Sequence, residues 1–315
     1  MVTMLYKTNI FGIVGSDNNP DYKQNIVIIW DDLNKKLLVK FTFKEKILNL
    51  KLRKDKIVIV SRSKIFIYNI NDFQNISNIE TGDNPLGLIG ISYSKKYGII
   101  VYPSCDNDKD KGQLTIYHFD GKNNIYINPH NHIVSYISLS YNGFLLATAS
   151  EQGKKIRIFE TITGENLQEL NRGKEKADIK YISIDSKKQL IAVSSERGTI
   201  EIWSLSQSIE KIKNSEKIKK SGINLDELDE EEKNNKISNV GSVFKIIPSF
   251  LGGGYFKNEW SFAQVKLEEP YSIFHFGEEN HLVIITSTGN YYMAKIDLQK
   301  GGECQILKKE ALLYK

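Results

Sequence analysis

Cysteine is nearly missing from this chain: Cys105 and Cys304 are the only two in 315 residues. Two are too few for a disulfide framework, so a reducing cytosolic compartment is expected. No apolar run approaches the roughly 20 residues that a membrane-spanning helix needs. The segment Met1 to Tyr6 lacks a basic region followed by an apolar stretch, so no signal peptide is expected. Membrane contact, if any, is then peripheral. Charge of one sign is also scarce. Lys and Arg number 43 against 38 Asp and Glu, a formal charge of +5. That balance suits an anionic membrane surface and lacks the dense basic stripe of a nucleic-acid binder. His130 and His132 stand without further ligands, and two histidines alone do not make a metal site. The run from Asp106 to Gly112 resembles a calcium loop, but its glycine falls one place late and Tyr117 stands where a bidentate Glu belongs. No nucleophile with a base and an orienting partner is present, and no cofactor motif, so an enzyme is not expected.

What remains is strand chemistry. Short β-rich anchors recur at Ile26–Trp30, Ile65–Tyr68, Leu114–Tyr117, Ile156–Phe159, Ile200–Trp203 and Tyr291–Ala294. Most are spaced by roughly 40 to 50 residues, the period of four-stranded propeller blades. Each follows a second apolar run: Phe11–Val14, Lys56–Val60, Gly98–Val101, Phe144–Ala147, Leu190–Val193 and Leu282–Ile285. Alternating short strands with turn residues between them predict an all-β chain, a β-propeller forming a single domain over residues 1–315. About six repeat blocks are visible. Because propellers close on themselves to remove open edges, a six-bladed ring or a seven-bladed one lacking its first blade is expected.

One strand-to-strand connection, residues 206–258, is far longer than the rest. Its first part, 206–239, is mixed and highly charged and predicts a mobile loop, with a short helix near Leu225–Lys233. Its second part, 242–256, is apolar and glycine-hinged and carries Phe250, Leu251, Tyr255 and Phe256. Long loops of this kind in compact domains are functional or disordered.

Between Thr148 and Trp203, two strand pairs carry hydroxyl residues near their turns, and Arg172 stands in the connection between them. Hydroxyls, backbone amides and an arginine fork are the groups that hold a phosphate. The pattern points to a phosphate-reading surface on a β scaffold. Ser150, Ser195 and Thr199 also read as ordinary turn caps.

Several segments together carry a specific likeness: Leu146–Gly153, Ile156–Thr161, Leu167–Gly173, Ala177–Ile182, Val193–Thr199, Lys54–Val60, Asp83–Gly87 and Trp260–Phe262. The chain resembles the PROPPIN family, phosphoinositide-binding propellers of the WD-repeat type that include the autophagy proteins called WIPIs. It looks closest to the short WIPI subgroup. The resemblance implies a seven-bladed fold, with the N-terminal blade absent from this chain. It also implies two adjacent headgroup sites flanking a paired-arginine motif, written here Leu170-Asn171-Arg172-Gly173 with the first arginine replaced. Carried over position by position, the first site comprises His130, Thr148, Ser150, Gly153, Arg157 and Asn171. The second comprises Arg172, Gly173, Ser195 and Thr199, with Lys176 as an added cation. Asparagine offers a neutral amide where an always-charged fork is expected, which weakens the first site. The implied ligands are phosphatidylinositol 3-phosphate and the 3,5-bisphosphate. Phe250, Leu251, Tyr255 and Phe256 would enter the bilayer interface. The implied setting is autophagosome formation, with a lipid-transfer scaffold as protein partner, no nucleic acid, and a monomer in the cytoplasm recruited to autophagic or endosomal membranes. The other reading is a protein-interaction propeller whose lipid binding has weakened or been lost.

Overall fold

A computed structural model describes residues 1–94, 97–104, 112–185, 187, 189–215, 240–241, 259–269 and 271–312. Phe250, Leu251, Tyr255, Phe256, the helix expected near Leu225–Lys233 and the loop from Asp106 to Asp110 lie outside the described residues. The sequence alone suggests one domain over 1–315. Contacts gather into two compact units, Met1–Tyr126 and Ile127–Lys315, each with apolar cores of its own.

The first unit holds three sheets. Strands β1 (Val2–Met4), β2 (Ile10–Val14), β3 (Ile26–Asp31) and β4 (Lys36–Thr42) form one. Strands β5 (Asn49–Leu52), β6 (Lys56–Val60), β7 (Lys64–Asn69) and β8 (Asn75–Glu80) form the next. Strands β9 (Gly90–Ile91), β10 (Ile99–Pro103), β11 (Leu114–His118) and β12 (Ile125–Ile127) form the third.

The second unit begins with β13 (Val134–Leu139), β14 (Leu145–Ser150), β15 (Lys155–Glu160) and β16 (Asn166–Asn171). Next come β17 (Ile179–Asp185), β18 (Leu190–Ser195) and β19 (Thr199–Ser204), followed by helix α1 (Ser206–Asn214). After the long connection, β20 (Val240–Gly241) and β21 (Glu259–Trp260) extend the sheet of β16, and β22 (Ala263–Lys266) pairs antiparallel with β19. The last sheet is β23 (Ser272–Phe276), β24 (His281–Thr286), β25 (Asn290–Lys295) and β27 (Gln305–Ala311), with the short β26 (Gly302–Glu303) lying beside β22.

Every anchor read from the sequence lies on one of these strands, as does every apolar run apart from the first residues of two of them, Gly98 and Phe144, and the described residues form six sheets built largely of consecutive antiparallel strands. The period of two explains why. In β15, Ile156 and Ile158 are fully buried while Arg157 between them is half-buried. In β18 and β14 every residue is buried, as befits strands covered on both faces. Trp203 packs at 0 % exposure, whereas Trp30 and Trp260 are half-buried. Cys304 is also buried, and burial pushes its thiol up to about 11.

Ser206–Asn214 corrects the expectation of a mobile charged loop beginning at 206, because it is a helix seated on β16. Ser208, Ile209 and Ile212 are buried, three and four residues apart on one face. Ser208 Oγ donates to Gln168 Oε1 at 2.6 Å, and Lys211 Nζ donates to the Leu167 carbonyl. Two isoleucines and a satisfied serine suffice to dock a segment whose composition reads as solvated.

Candidate functional site

The eleven residues assigned from the sequence fall into two neighbouring groups, all within the second unit. In the first, Thr148 on β14 lies opposite Arg157 on β15, and Arg157 lies opposite Glu169 on β16. His130 approaches this row from the connection before β13, its Nε2 3.0 Å from Thr148 Oγ1. Arg157 Nε donates to Glu169 Oε2 at 2.8 Å, and Nη1 donates to the Pro129 carbonyl at 2.5 Å. Lys155 Nζ donates to the other oxygen of Glu169. Burial pushes the Glu169 carboxyl up, but the hydrogen bonds from Lys155 and Arg157 outweigh it and hold its pKa below the usual value. The Arg157 cation is therefore committed to a protein anion. His130, Thr148, Ser150 and Asn171 are all buried. Among the described residues the buried Asn171 Nδ2 has no partner, an arrangement that costs about 1–3 kcal/mol unless an acceptor arrives.

His130 is neutral at physiological pH, because burial, aided by the Arg157 charge, lowers its pKa to about 4. Between that value and the ordinary 6.5, the unfolded chain binds the proton and the folded chain does not. Stability therefore falls as pH drops through this window. From pH 7 to pH 5 the loss is about 2 kcal/mol, read as a fall in the urea midpoint. Replacing His130 with Gln should flatten that pH dependence. An equally steep fall in the variant would show that another group is responsible.

The second group surrounds an opening. Arg172 follows the end of β16, and its backbone N–H and that of Gly173 both donate to the Lys154 carbonyl, at 2.9 and 3.3 Å. The guanidinium Nε donates to the Gly153 carbonyl at 2.5 Å, and Nη2 donates to the Glu175 carbonyl. Nη1 has no partner among the described residues. Half of the fork is thus fixed to backbone and half is free. Burial lowers the Arg172 pKa, yet an arginine stays charged at any pH a cell reaches. Ser195 ends β18, Thr199 begins β19, and the hairpin between them turns at Gly198, whose φ of +77° suits glycine.

Arg172, Gly173, Ser195 and Thr199 line one hollow of about 450 Å³. Lys174, Glu175, Arg197, Glu201 and Gln264 complete its wall, and none of these is assigned from the sequence. Lys176 does not line it; its side chain is exposed and only its carbonyl takes part, accepting from Arg197 Nη2 at 3.3 Å. Arg197 also pairs with Glu175 at 2.6 Å across the rim, where side-chain exposures of 47 % and 75 % leave the pair worth little. Lys174 is exposed and has no acidic partner among the described residues. Three cations and two carboxylates thus border the hollow. Glu201 shares a strand face with Thr199 two residues away, and stands opposite Gln264 on β22. The alternation of β19 was the available signal for Glu201. Gln264 reaches the site only through long-range pairing.

Comparison with known proteins gives a consistent picture. The sequence profile of the PROPPIN family matches residues 10–224. Autophagy-related protein 18e of Arabidopsis thaliana is 30 % identical over 302 residues, covering 95 % of this chain and 73 % of the relative. Among solved structures, Kluyveromyces lactis Hsv2 superposes with a TM-score of 0.71 at 19 % identity, covering 99 % of this chain and 86 % of that one. KlAtg21, solved in complex with the coiled coil of AgAtg16, gives 0.75 at 21 % identity, covering 99 % and 85 %. The two superpositions establish the fold of these sheets, and on profile and sequence identity alike the chain belongs to the PROPPIN family.

Proposed function

We propose that the hollow beside Arg172 binds the phosphate of a phosphoinositide headgroup, that of phosphatidylinositol 3-phosphate or the 3,5-bisphosphate. The protein is then a non-catalytic effector of the seven-bladed propeller type. It is drawn from the cytoplasm onto autophagic or endosomal membranes displaying these lipids during autophagosome formation. One observation carries this reading: a guanidinium with a free Nη1 beside an open hollow whose other wall holds two strand-end hydroxyls. A phosphomonoester presents several acceptor oxygens, so donors must converge on it from different directions. The arginine supplies charge and a planar fork, and charge-assisted hydrogen bonds are roughly twice as strong as neutral ones. The first group contributes less, because Asn171 is neutral and Arg157 is already paired with Glu169.

One headgroup pocket gives weak attachment, and peripheral anchoring generally takes two signals. The sequence supplies the second in Phe250, Leu251, Tyr255 and Phe256, whose apolar side chains would enter the interface and reinforce the pocket through effective concentration. Replacing all four with serine should weaken binding to vesicles at least tenfold while sparing binding of the soluble headgroup. Equal loss in both assays would remove the insertion role. We read the protein partner as a lipid-transfer scaffold of the autophagy machinery, engaged by a monomer; the coiled coil bound to KlAtg21 supports a protein partner of some kind.

Liposome flotation tests the whole reading. Co-flotation with vesicles carrying 3-phosphorylated lipid, and none with plain phosphatidylcholine vesicles, is the expected result. Identical behaviour with both would overturn it in favour of a protein-interaction propeller that no longer reads lipid.

A further inference from the structure

Glu201 is out of place in a phosphate site. Its carboxylate lines the same hollow as Arg172, Ser195 and Thr199, and an anion beside a bound phosphate repels it. Yet none of the described residues donates a hydrogen bond to this carboxylate. The groups around it are Arg172 from the β16–β17 connection, Arg197 from the β18–β19 turn, and Gln264 directly opposite on β22. Lys266, next along the same face of β22, is engaged by Glu303 at 3.0 Å. At the rim, Glu175 is held by Arg197, and Lys174 points no charge at any acid among the described residues. A half-buried carboxylate with no donor of its own is an acceptor waiting for one. A bare phosphate offers a donor only when protonated, but a phosphorylated polyol offers a hydroxyl on the carbon next to the phosphate.

We propose that Glu201 is the specificity-determining residue of this hollow: its carboxylate accepts a hydrogen bond from the ring hydroxyl adjacent to the bound phosphate and excludes headgroups that carry a second phosphate there. The inference rests on the headgroup reading and sharpens it. A 3-phosphate flanked by free hydroxyls fits, and a 5-phosphate, two carbons away, is not opposed by this residue. A 3,4-bisphosphate brings a dianion against the carboxylate. Sites built to accept a hydrogen bond from a ligand hydroxyl reject ligands that leave the buried acceptor unpaired or oppose its charge, and this is the stronger route to selectivity.

The charge of Glu201 makes the selection pH-dependent. Burial raises its carboxyl pKa to about 7, against the pull of Arg172 and Arg197. Above that pH the anion discriminates; below it the neutral acid donates to a phosphate and tolerates a second one. The test is calorimetric titration of the full chain and of Glu201→Gln with inositol 1,3-bisphosphate and inositol 1,3,4-trisphosphate, at pH 6 and pH 8. The unsubstituted chain should prefer the bisphosphate at least tenfold at pH 8, with the preference narrowing to a few-fold at pH 6. The variant should show the narrow preference at both values. Phosphate itself titrates near pH 6, but it does so equally for chain and variant, so the difference between them isolates Glu201. A variant whose preference and pH dependence match the unsubstituted chain overturns the role of Glu201 while leaving the headgroup site standing. Failure of the unsubstituted chain to bind either compound overturns the headgroup reading and this proposal together.

Discussion

Replacing Arg172 with alanine should reduce binding to vesicles carrying phosphatidylinositol 3-phosphate about a hundredfold. Arg172 lines the hollow together with both hydroxyls, its Nη1 has no partner among the described residues, and it is the one buried cation among the described residues of that lining. Hydrogen bonds involving a charged group contribute about 1.5–3 kcal/mol each, so losing the guanidinium removes roughly 3 kcal/mol. Part of the effect is structural, since the carbonyls of Gly153 and Glu175 lose their donor. Lysine at this position separates the two contributions. It keeps the charge as a point and cannot bridge two carbonyls and a phosphate at once, so Arg172→Lys should recover only part of the affinity. Vesicle binding within threefold of the unsubstituted protein in Arg172→Ala would remove this residue from the site.

The largest effect on stability is expected at Gly153. Its φ is +56°, and a Cβ there would sit 1.8 Å from the Ala177 carbonyl oxygen, so backbone must move. Left-handed geometry alone costs an L-residue roughly 1–2 kcal/mol, and forcing apart two backbone segments adds at least as much. Gly153→Ala should therefore lose about 3 kcal/mol or more, seen as a fall in Tm on the order of 5–10 °C. It should also weaken lipid binding, because the Gly153 carbonyl is what holds Arg172 Nε. Gly173→Ala is the internal contrast. A Cβ at Gly173 meets nothing within 4 Å, and that variant should melt within about 0.5 kcal/mol of the parent. Equal melting of the two variants would refute the close approach at Gly153.

The strands were legible because each carries its own local signal. Ile156-Arg-Ile158 and Ile200-Glu-Ile202 alternate before a closing aromatic, and alternation depends only on neighbours in sequence. The hollow was half legible for the same reason. Ser195 and Thr199 flank one hairpin, and Arg172 stands out as the single arginine in a short connection. What could not be read was everything set by pairing across the sheet. Gln264 meets Glu201 only through the β19–β22 register. That Arg157 and Lys155 of β15 are both tied to Glu169 depends on β16 lying beside their strand. The sequence showed a candidate ligand-binding arginine, and the structure shows one with a resident carboxylate. Helix α1 was hidden by composition, since two isoleucines among Ser, Gln, Glu and Lys look like solvated chain until a neighbouring sheet covers them.

The strand that completes the hollow's sheet, β22, arrives after a detour of more than fifty residues, residues 205–262 in all. Bridging β19 to β22 must first overcome the closure entropy of that excursion, which grows only slowly with its length. A headgroup seated between Thr199 and Gln264 touches both sides of the seam, so by mass action each tenfold rise of ligand above its dissociation constant adds about 1.4 kcal/mol to the closed state. Lipid at the membrane would therefore act as a clasp: amide protons along Thr199–Ser204 and Ala263–Lys266 should exchange more slowly on vesicles than in free solution, and the bound protein would hold shut a fold that the unbound one must close unaided.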